Sequence, residues 1–586
     1  MAITILPNRK NYKMANTKMP LPILLLIIWM TSGCKKKVDF EYDNRPNPRA
    51  EAALNTRLVN LMGYRELKIG DKRLTSFLPP DNEGYYGGAG TMRVTPYFPQ
   101  TGQLSTVYSF PSEFLNNDGY IHDVFLTSLS VKDAIGQAKS LDIKDYGRTP
   151  MDFYVVRYAD SYSDSTFVIP RDITTSSNPE NFKIRILNLS TDPDYFQRDG
   201  RMSLAFADGT PVSNSTSHVA RGAYSDYIEL PYGTYQFKVL TDDEREVPAK
   251  AAGTTESVSP ILNIVNPNTG TLMAIGNGTP GVAGYSDSWL TYAPIKTFQP
   301  GGVYTVVVSN VTGYSEAIAG SNGETVGVIC NSFQIINDVA EPLNNYYARV
   351  QAVNAQPGID VKWQVDDIDI GSTAYTSHTA YQPFLTGKHI VKAFNGQGIL
   401  LAEKEVSLLP GDNITAWLYL HKDGKPAITS SNNNLSGFFS ESTNGNDGSY
   451  LPRRDAFVHW IRLMNFCPDI EDVTFTANNG QPLSGQPGAS SNVLFGLQKI
   501  DNPYARMVYN FSTSILTYAS GPNVVPGNWV QNIEPLPSRA FIKNINLYKT
   551  AEKPNAEPGI YTVALMGKLE GAAPGHAQLI LIKHNP

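Results

Sequence analysis

The feature that most constrains the fold is one strand-like opening that occurs four times in the chain. Each copy reads polar, two apolar residues, asparagine and a further apolar residue, at residues 57–61, 185–189, 351–355 and 462–466. Alternating apolar residues predict a β-strand with one buried face. The asparagine suits the strand end, because its side chain bonds local backbone and tolerates turn geometry. Four copies of one element predict four similar domains.

A second shared element follows each opening, in which a short strand leads into a turn rich in Asp, Asn or Gly. The turns lie at residues 70–71, 208–209, 366–367 and 479–480. Such dipeptides accept positive φ and suit tight hairpins. The carboxylates in these positions are therefore predicted to form turns rather than to carry out catalysis.

Two further elements complete the repeat. One is a strand, a glycine corner and a second alternating strand, clearest over residues 227–239 and weaker over 381–393. The other is a Pro-Gly turn entering an apolar strand, at residues 300–301, 410–411 and 558–559. The chain also contains 32 Tyr, 47 Gly and 40 Pro, which favours strands and turns over helices.

This order of motifs resembles the bacterial domain-of-unknown-function family 4397. The resemblance is closest over about residues 183–310, weaker over 347–420 and 455–586, and weakest over 50–170. It implies an all-β fold of tandem immunoglobulin-like β-sandwiches, the architecture of that family in secreted and envelope proteins. The family has no established catalytic residues, so the resemblance implies no chemistry.

The N-terminus predicts export and lipid anchoring. A basic stretch at residues 9–18 precedes a short apolar run at 21–30 and small residues at 31–33, which end at Cys34. This is the layout of a secretory signal, and the run is too short to span a bilayer. Cys34 resembles the lipobox cysteine of bacterial lipoproteins, which implies covalent lipid on its thiol, although Thr31 stands where Leu is usual. An ordinary signal peptide with a chance cysteine is the alternative.

The anchor and the repeats together give a domain plan. Lys35 rather than Asp follows the cysteine, which by resemblance to enteric lipoproteins implies the outer membrane, with the periplasmic or cell-surface face left open. The plan is a signal peptide (1–33), a lipidated tether (34–50), β-sandwiches at 51–180, 181–340, 341–428 and 455–586, and a linker or long loop at 429–454.

No catalytic motif is present in the sequence. The eight histidines form no His-Glu-x-x-His pair and no Cys/His cluster with metal spacing, and no nucleophile elbow or phosphate loop occurs. The chain is therefore predicted not to be an enzyme and to need no cofactor. Acidic loops at residues 192–199 and 366–369 leave calcium as the less favoured alternative, because neither has the closing glutamate of a calcium loop.

Charge and aromatic residues narrow the class of partner. The formal net charge is −6 and the only basic block is residues 35–37, which excludes the clustered basic face that nucleic acid requires. Three tryptophans at 363, 417 and 460 lie in predicted strands, where core packing is expected. Exposed aromatic side chains could stack on sugar rings, with core or edge packing as the alternative. The candidates are Tyr85, Tyr86, Tyr346, Tyr347, Phe438 and Phe439.

These patterns predict a non-catalytic cell-envelope lipoprotein that binds, adheres or provides structural display, by analogy with other repeated sandwiches. The expected partners are the membrane, through lipid on Cys34, and an envelope protein or polysaccharide. The first alternative is an accessory carbohydrate-binding lipoprotein of a glycan-uptake system. The second is a glycosidase with dispersed carboxylates. Cys330 and Cys467 are predicted either to pair across two domains or to remain buried thiols.

Overall fold

The computed structural model describes residues 53–62, 64, 66–75, 95–99, 102–127, 138–157, 164–190, 200–242, 244, 246–247, 263–265, 272–274, 295–317, 325–433, 459–478, 480–483, 487–500, 503–507, 513–521, 524–547, 556–557, 559–571 and 575–586. These residues form β-strands and short 3-10 helices, with no α-helix among them. Ala53–Pro586 forms one compact unit. The predicted signal peptide and the whole of the predicted tether lie outside the described residues.

The first sandwich has two sheets of four strands. Its elements are β1 (Ala53–Asn60), β2 (Glu66–Ile69), β3 (Lys72–Arg73), β4 (Val107–Pro111), η1 (Ser112–Phe114), β5 (Tyr120–Thr127), β6 (Ala138–Lys144), β7 (Met151–Arg157) and β8 (Asp164–Pro170). The strand orders are β4-β1-β7-β8 and β3-β2-β5-β6.

The second sandwich has the same first sheet and a more divided facing sheet. Its elements are β9 (Asn181–Leu189), β10 (Met202–Ala205), η2 (Asn214–Thr216), β11 (Ile228–Pro231), β12 (Gly233–Tyr235), β13 (Lys238–Thr241), β14 (Glu246–Val247), β15 (Asn263–Val265), β16 (Leu272–Ala274), β17 (Lys296–Phe298), β18 (Val303–Ala317) and β19 (Thr325–Asn337). The orders are β11-β9-β18-β19, β10-β13-β14, β12-β17 and β15-β16.

The third sandwich has the most regular pair of sheets. Its strands are β20 (Tyr347–Asn354), β21 (Val361–Val365), β22 (Ile368–Thr373), β23 (Gln382–Leu385), β24 (Gly387–Phe394), β25 (Leu400–Leu408), β26 (Asn413–Leu420) and β27 (Pro426–Asn432). The orders are β23-β20-β26-β27 and β22-β21-β24-β25.

The fourth sandwich pairs a sheet of four strands with a sheet of five. Its elements are β28 (His459–Phe466), β29 (Asp472–Ala477), β30 (Gln481–Pro482), η3 (Pro487–Ala489), β31 (Val493–Leu494), β32 (Tyr504–Met507), β33 (Ile515–Gly521), β34 (Val524–Trp529), η4 (Ser538–Phe541), η5 (Ile545–Leu547), β35 (Ile560–Met566) and β36 (Gln578–Lys583). The orders are β32-β28-β35-β36 and β30-β29-β33-β34, with β31 also paired to β29.

One sheet has the same plan in all four sandwiches, and its strands are named here by their place. The opening strands (β1, β9, β20, β28) lie inside the sheet, antiparallel to the edge strands (β4, β11, β23, β32) and parallel to the inner strands (β7, β18, β26, β35). The inner strands pair antiparallel with the closing strands (β8, β19, β27, β36). Tandem β-sandwiches are thus confirmed. In constant-type immunoglobulin domains the first strand lies instead at the edge of its sheet.

The edge strands carry proline in three sandwiches, at Pro111, Pro231 and Pro383. Proline donates no backbone hydrogen bond, so it is tolerated at an edge and discourages another strand from pairing there. The prolines therefore protect sheets that the fold leaves open on that side.

The opening strands differ from the sequence prediction in one respect. They were predicted to bury one face, but both faces are buried, as in β28, where every residue is buried. In β1, Leu58 packs inside the first sandwich, whereas Val59 packs against residues of the second sandwich. The prediction was wrong because it treated each sandwich as isolated. The outer face of its sheet is covered by a neighbouring sandwich.

The sandwiches therefore pack in two pairs through the outer faces of these sheets. One apolar cluster joins the first and second sandwiches and includes Val59, Tyr154, Leu187 and Val307. A second cluster joins the third and fourth, where Trp417 packs against Phe466 with ring centroids 5.2 Å apart.

The predicted asparagine and turn roles are confirmed. In each opening, the buried asparagine bonds nearby backbone, as when the Asn60 side chain donates to the Tyr64 carbonyl and accepts from the Tyr64 amide. The equivalent bonds are made by Asn188, Asn354 and Asn465. At the predicted hairpins, Gly209 has φ 85° and Asp366 has φ 54°.

The predicted continuous strand over residues 234–239 is interrupted. β12 pairs with β17 and β13 pairs with β10, and Gln236 lies between them. The Gln236 amide donates instead to the Pro586 carbonyl of the fourth sandwich, at 3.1 Å. A contact between sandwiches has replaced a sheet hydrogen bond, which local sequence cannot reveal.

Candidate functional site

The polar residue of each repeated opening reaches a buried contact between sandwiches. It pairs in register with a residue of the inner strand: Arg57 with Asp152, Arg185 with Thr305, Gln351 with Thr415, and Arg462 with Thr562. A third member follows each closing strand, at Arg171, Asp338, Asn433 and His584. The fold thus places three polar side chains at one level in every sandwich. We call the group between the first two sandwiches the first junction and the group between the last two the second junction.

The first junction is built on charges. Arg57 donates two hydrogen bonds to the Asp152 carboxylate, from Nε at 2.9 Å and from Nη2 at 2.6 Å. Arg57 also donates from Nη1 to the Asn337 carbonyl at 2.8 Å and lies 3.4 Å from the Asp338 carboxylate, both in the second sandwich. One guanidinium of the first sandwich therefore binds the end of the closing strand of the second.

Asp338 lies at the centre of the hydrogen bonds of the first junction. Its Oδ2 accepts hydrogen bonds from Thr305 Oγ1 at 2.6 Å and from the Tyr227 hydroxyl at 2.9 Å. Burial raises the pKa of Asp338 to about 6, against the lowering effect of the Thr305 bond and the arginine charges. Arg185 completes the link, because it donates to Thr305 and also to the Pro170 carbonyl of the first sandwich, at 2.8 Å.

The second junction has the same layout with mostly neutral groups. Thr415 donates to Gln351 Oε1 at 3.2 Å, and Asn433 donates to Thr415 Oγ1 at 2.6 Å. Arg462 of the fourth sandwich donates from Nε to Asn433 Oδ1 at 3.2 Å. The contact with the third sandwich is thus made by one arginine and a set of amides and hydroxyls.

His584 is the titratable centre of the second junction. Its ring nitrogens lie 2.7 Å from Thr562 Oγ1 and 3.1 Å from the Tyr381 hydroxyl, which belongs to the third sandwich. Burial, followed by the charge of Arg462, holds the pKa of His584 well below its usual range. The imidazole is therefore neutral near pH 7 and acts as a hydrogen-bond partner.

The two pairs of sandwiches also contact each other. Lys238 Nζ of the second sandwich lies 3.3 Å from Glu557 Oε1 of the fourth, and both side chains are buried. The second sandwich touches the third through Tyr232 and Tyr347, whose ring centroids lie 5.7 Å apart. Arg349 adds a bond from the third sandwich to Thr234, at 3.3 Å.

Most predicted site residues have structural roles or lie outside the described part of the chain. Cys34, Tyr85, Tyr86, Phe438 and Phe439 are outside it. Cys467 is a free, buried thiol. The core positions predicted for Trp363, Trp417 and Trp460 are confirmed.

Of the two acidic loops that left calcium as an alternative, residues 192–199 lie outside the described part of the chain, and the hairpin at 366–369 makes local contacts. Asp366 accepts a hydrogen bond from the Ile390 amide, and Asp369 accepts one from the Gly371 amide. Among the residues that the structure describes, no three His, Cys, Asp or Glu side chains are placed to hold a metal ion. The predicted role of these carboxylates as turn formers is confirmed.

The remaining predicted aromatics separate into one exposed and one packed residue. The Tyr346 side chain is 68% exposed, whereas the neighbouring Tyr347 packs on Tyr232. Trp529, which the sequence did not single out, is 54% exposed at the edge of its sheet in β34. Among the described ring pairs, neither Tyr346 nor Trp529 contacts a second aromatic ring, so neither is part of a larger aromatic surface on which a sugar could stack.

The structure also leaves an exposed apolar end on the third sandwich, which includes Tyr346. Six large side chains contribute to it, and each is at least 40% exposed: Leu343, Tyr346, Ile368, Leu385, Ile390 and Leu409. We call this group the apolar end. Only Tyr346 is also a candidate from the sequence, because the other five residues are aliphatic and strand periodicity does not show which aliphatic side chains stay exposed.

Comparison with known proteins finds no family model and no curated protein that matches the chain. In the described residues there is no helix of the length and apolarity required to cross a bilayer.

Proposed function

We propose that this chain is a non-catalytic lipoprotein of the bacterial cell envelope, in which four fused β-sandwiches form a rigid platform for binding or structural support. One observation carries the proposal. The polar residues that recur at one place in every sandwich are buried and bonded to one another across the junctions.

Buried and bonded groups favour a structural role over catalysis. A catalytic repeat would turn its shared polar groups toward a cleft that a substrate can enter, since a general acid or base must reach the reacting atom. Here Asp152 is fully buried and bound by Arg57, and Asp338 accepts bonds from two hydroxyls. These carboxylates bond groups that hold neighbouring sandwiches together. A protein that displays or spaces other groups needs such fixed contacts between its domains.

The family and the location are parts of the same proposal. The motifs that resemble family 4397 recur in the same order, because Pro-Gly dipeptides precede β18, β26 and β35 in the chain and these strands hold the same place in each sheet. The signal layout before Cys34 supports a lipid anchor in the outer membrane, with the sandwiches following a short tether.

Anchoring is tested by changing Cys34 to alanine in the full-length chain produced in a bacterium with lipoprotein processing. We expect the mature protein to leave the membrane fraction and to lose its label from radioactive fatty acid. Cys467→Ala is the matched control, because Cys467 is a thiol buried in the core of the fourth sandwich. A Cys34→Ala protein that stays in the membrane fraction and keeps the label would contradict the proposal.

A carbohydrate-binding accessory role is the second candidate, supported by exposed Tyr346. Sugar rings stack on exposed aromatic faces, so this role predicts that purified residues 35–586 bind a polysaccharide and that Tyr346→Ala weakens that binding. An affinity-gel screen with Tyr346→Phe as the control measures it. Absence of a mobility shift with every polysaccharide would eliminate this candidate and leave the platform role.

A further inference from the structure

The apolar end is the largest exposed group of apolar side chains in the described part of the third sandwich. Leu343 is 84% exposed, Leu409 65%, Leu385 61% and Ile368 59%. Burying side chains of this kind is strongly favourable, so a stable protein seldom leaves several of them together in water without a use.

Backbone and side-chain contacts bring these residues to one end of the sandwich. β20 and β23 pair Tyr347 with Leu385, and the Thr386 amide donates to the Tyr346 carbonyl at 2.8 Å. His389 joins the hairpin that carries Ile368 to this turn, because its ring nitrogens lie 2.9 Å from the Asp366 carboxylate and 2.9 Å from the Leu385 carbonyl. The Asp366 amide also donates to the Ile390 carbonyl at 2.7 Å. The turns that carry Leu343 and Leu409 both bond the Tyr347 carbonyl, through Asn344 and Gly411, so the six residues lie at one end of the sandwich.

The same end of the fourth sandwich is already a contact surface. Trp460 and Ile560 lie at the corresponding strand ends and pack, together with Tyr504, against Ile295 of the second sandwich. In the third sandwich, the second sandwich reaches Tyr347 through a ring contact and leaves the adjacent Tyr346 exposed. The apolar end therefore adjoins, through Tyr346, the contact between the second and third sandwiches, and it is the part of that surface that stays exposed.

The size of the apolar end suits one half of a protein interface. Six such side chains expose on the order of 600 Å² of surface, at the upper limit of what monomers usually leave open and close to the share of one partner in a standard interface.

The charges around the apolar end are balanced. Lys388 lies 2.8 Å from Glu405, and Lys392 lies 3.4 Å from Asp367. A surface with both signs alternating can face a copy of itself, whereas an anionic lipid or polysaccharide would favour an excess of lysine. Pro383 in the edge strand β23 disfavours strand addition, so the side chains rather than the sheet edge would make the contact.

We propose that the apolar end binds the apolar end of a second copy of this chain, related by a two-fold axis. In such an interface each residue of the patch meets the same patch on the partner, so a surface that is apolar at its centre and charge-balanced at its rim complements itself. The proposal concerns self-association and does not depend on the lipid anchor.

Sedimentation equilibrium of purified residues 35–586, without lipid, tests this inference. We expect a monomer–dimer equilibrium with a Kd of about 10 μM or tighter, and Leu385→Glu should weaken it at least about 100-fold by burying an unpaired charge. Ile399→Glu is the matched control, because Ile399 is also 61% exposed but lies in the turn between β24 and β25, at the opposite end of the sandwich.

The two variants distinguish a dimer formed through the apolar end from other kinds of association. Dimer loss in Leu385→Glu with an intact dimer in Ile399→Glu and unchanged circular dichroism in both supports the proposal. A monomer at about 100 μM, or a dimer that both variants weaken equally, overturns it. Co-sedimentation of the monomeric protein with lipid vesicles through the same residues would also overturn it, with a membrane as the occupant. Membrane fractionation of Cys34→Ala is independent of each of these results.

Discussion

The two junctions occupy the same place in the fold but use different chemistry. In the first, Arg57 binds the Asp152 carboxylate and reaches Asp338 across the boundary between two sandwiches, and Arg185 donates across the same boundary to the Pro170 carbonyl. The second has one arginine, together with amide, hydroxyl and imidazole groups, at the corresponding positions. Both pairs of sandwiches still pack through the same sheet faces. The common feature is therefore a buried network of hydrogen bonds at this level, which can be built with charged groups or with mostly neutral ones.

The difference predicts opposite responses to acid. A buried carboxylate that is hard to ionise binds a proton more readily when folded than when unfolded, whereas a buried neutral histidine binds it less readily. Acid should therefore favour the folded form at the first junction and disfavour it at the second.

Removing the shared arginine should affect stability most. Arg57→Met leaves the buried Asp152 carboxylate without its bidentate partner, and we expect a loss of about 3–5 kcal/mol in the free energy of unfolding. The equivalent Gln351→Met removes only neutral hydrogen bonds and should cost about 1–3 kcal/mol. Urea unfolding at pH 7.5 measures both, with exposed Lys388→Met expected to leave the midpoint unchanged. If Arg57→Met and Gln351→Met lower the free energy of unfolding equally, the two junctions do not differ in the way proposed.

His584 should make the second junction sensitive to acid. Its pKa is held well below the usual range by burial, so the unfolded chain takes up a proton first as the pH falls below the ordinary histidine value. The free energy of unfolding should fall between about pH 7.5 and pH 4.5, by at most about 3 kcal/mol from this residue. His584→Gln should remove that part of the loss, which parallel urea titrations at the two pH values measure. An identical pH dependence in wild type and variant would show that His584 is not the titrating group.

Asp338 should act in the reverse direction. Its pKa is raised by burial to about 6, so the folded state takes up the proton before the unfolded state, whose aspartate titrates near 4. Over the same pH interval this residue should add about 2 kcal/mol to the free energy of unfolding as the medium becomes acidic. In Asp338→Asn that gain disappears. If acidification instead stabilises the Asp338→Asn variant more than the wild type, Asp338 does not have this role.

Matched threonine substitutions should give the smallest difference. Thr305 donates to the Asp338 carboxylate, whereas Thr415 donates to the Gln351 amide. Because hydrogen bonds to charged groups are worth more, we expect Thr305→Val to cost about 1.5–3 kcal/mol and Thr415→Val about 1 kcal/mol at pH 8. Thermal unfolding of both variants at pH 5, where Asp338 with its pKa of about 6 is mostly protonated in the folded state, should bring the two costs closer together.

The repeated sheet elements could be predicted from the sequence, because local patterns determine them. Alternation marked the opening strands, Gly209 and Asp366 marked hairpins, and each opening asparagine bonds backbone within its own sandwich. Periodicity also placed Trp363 in a core.

Contacts between sandwiches could not be predicted in the same way. From the sequence alone, Val59 and Arg57 belong to the outer face of a strand. The second sheet that packs on this face is formed by residues more than a hundred positions away. One signal in the sequence does point to these contacts: arginine recurs at a single position in three of the four openings, with apolar residues following it. A long charged side chain repeated within otherwise apolar strands indicates a buried ion pair or interface, since such groups are rarely buried without a partner.

The central claim is that the shared polar residues hold neighbouring sandwiches together. A double-mutant cycle between Arg57 in the first sandwich and Asp338 in the second tests it directly, because their side chains lie 3.4 Å apart across the boundary. Urea unfolding at about pH 8 of wild type, Arg57→Met, Asp338→Asn and the double variant should give a coupling free energy of at least about 1 kcal/mol. Losses that add within about 0.5 kcal/mol would show that the two residues act independently and would contradict the account.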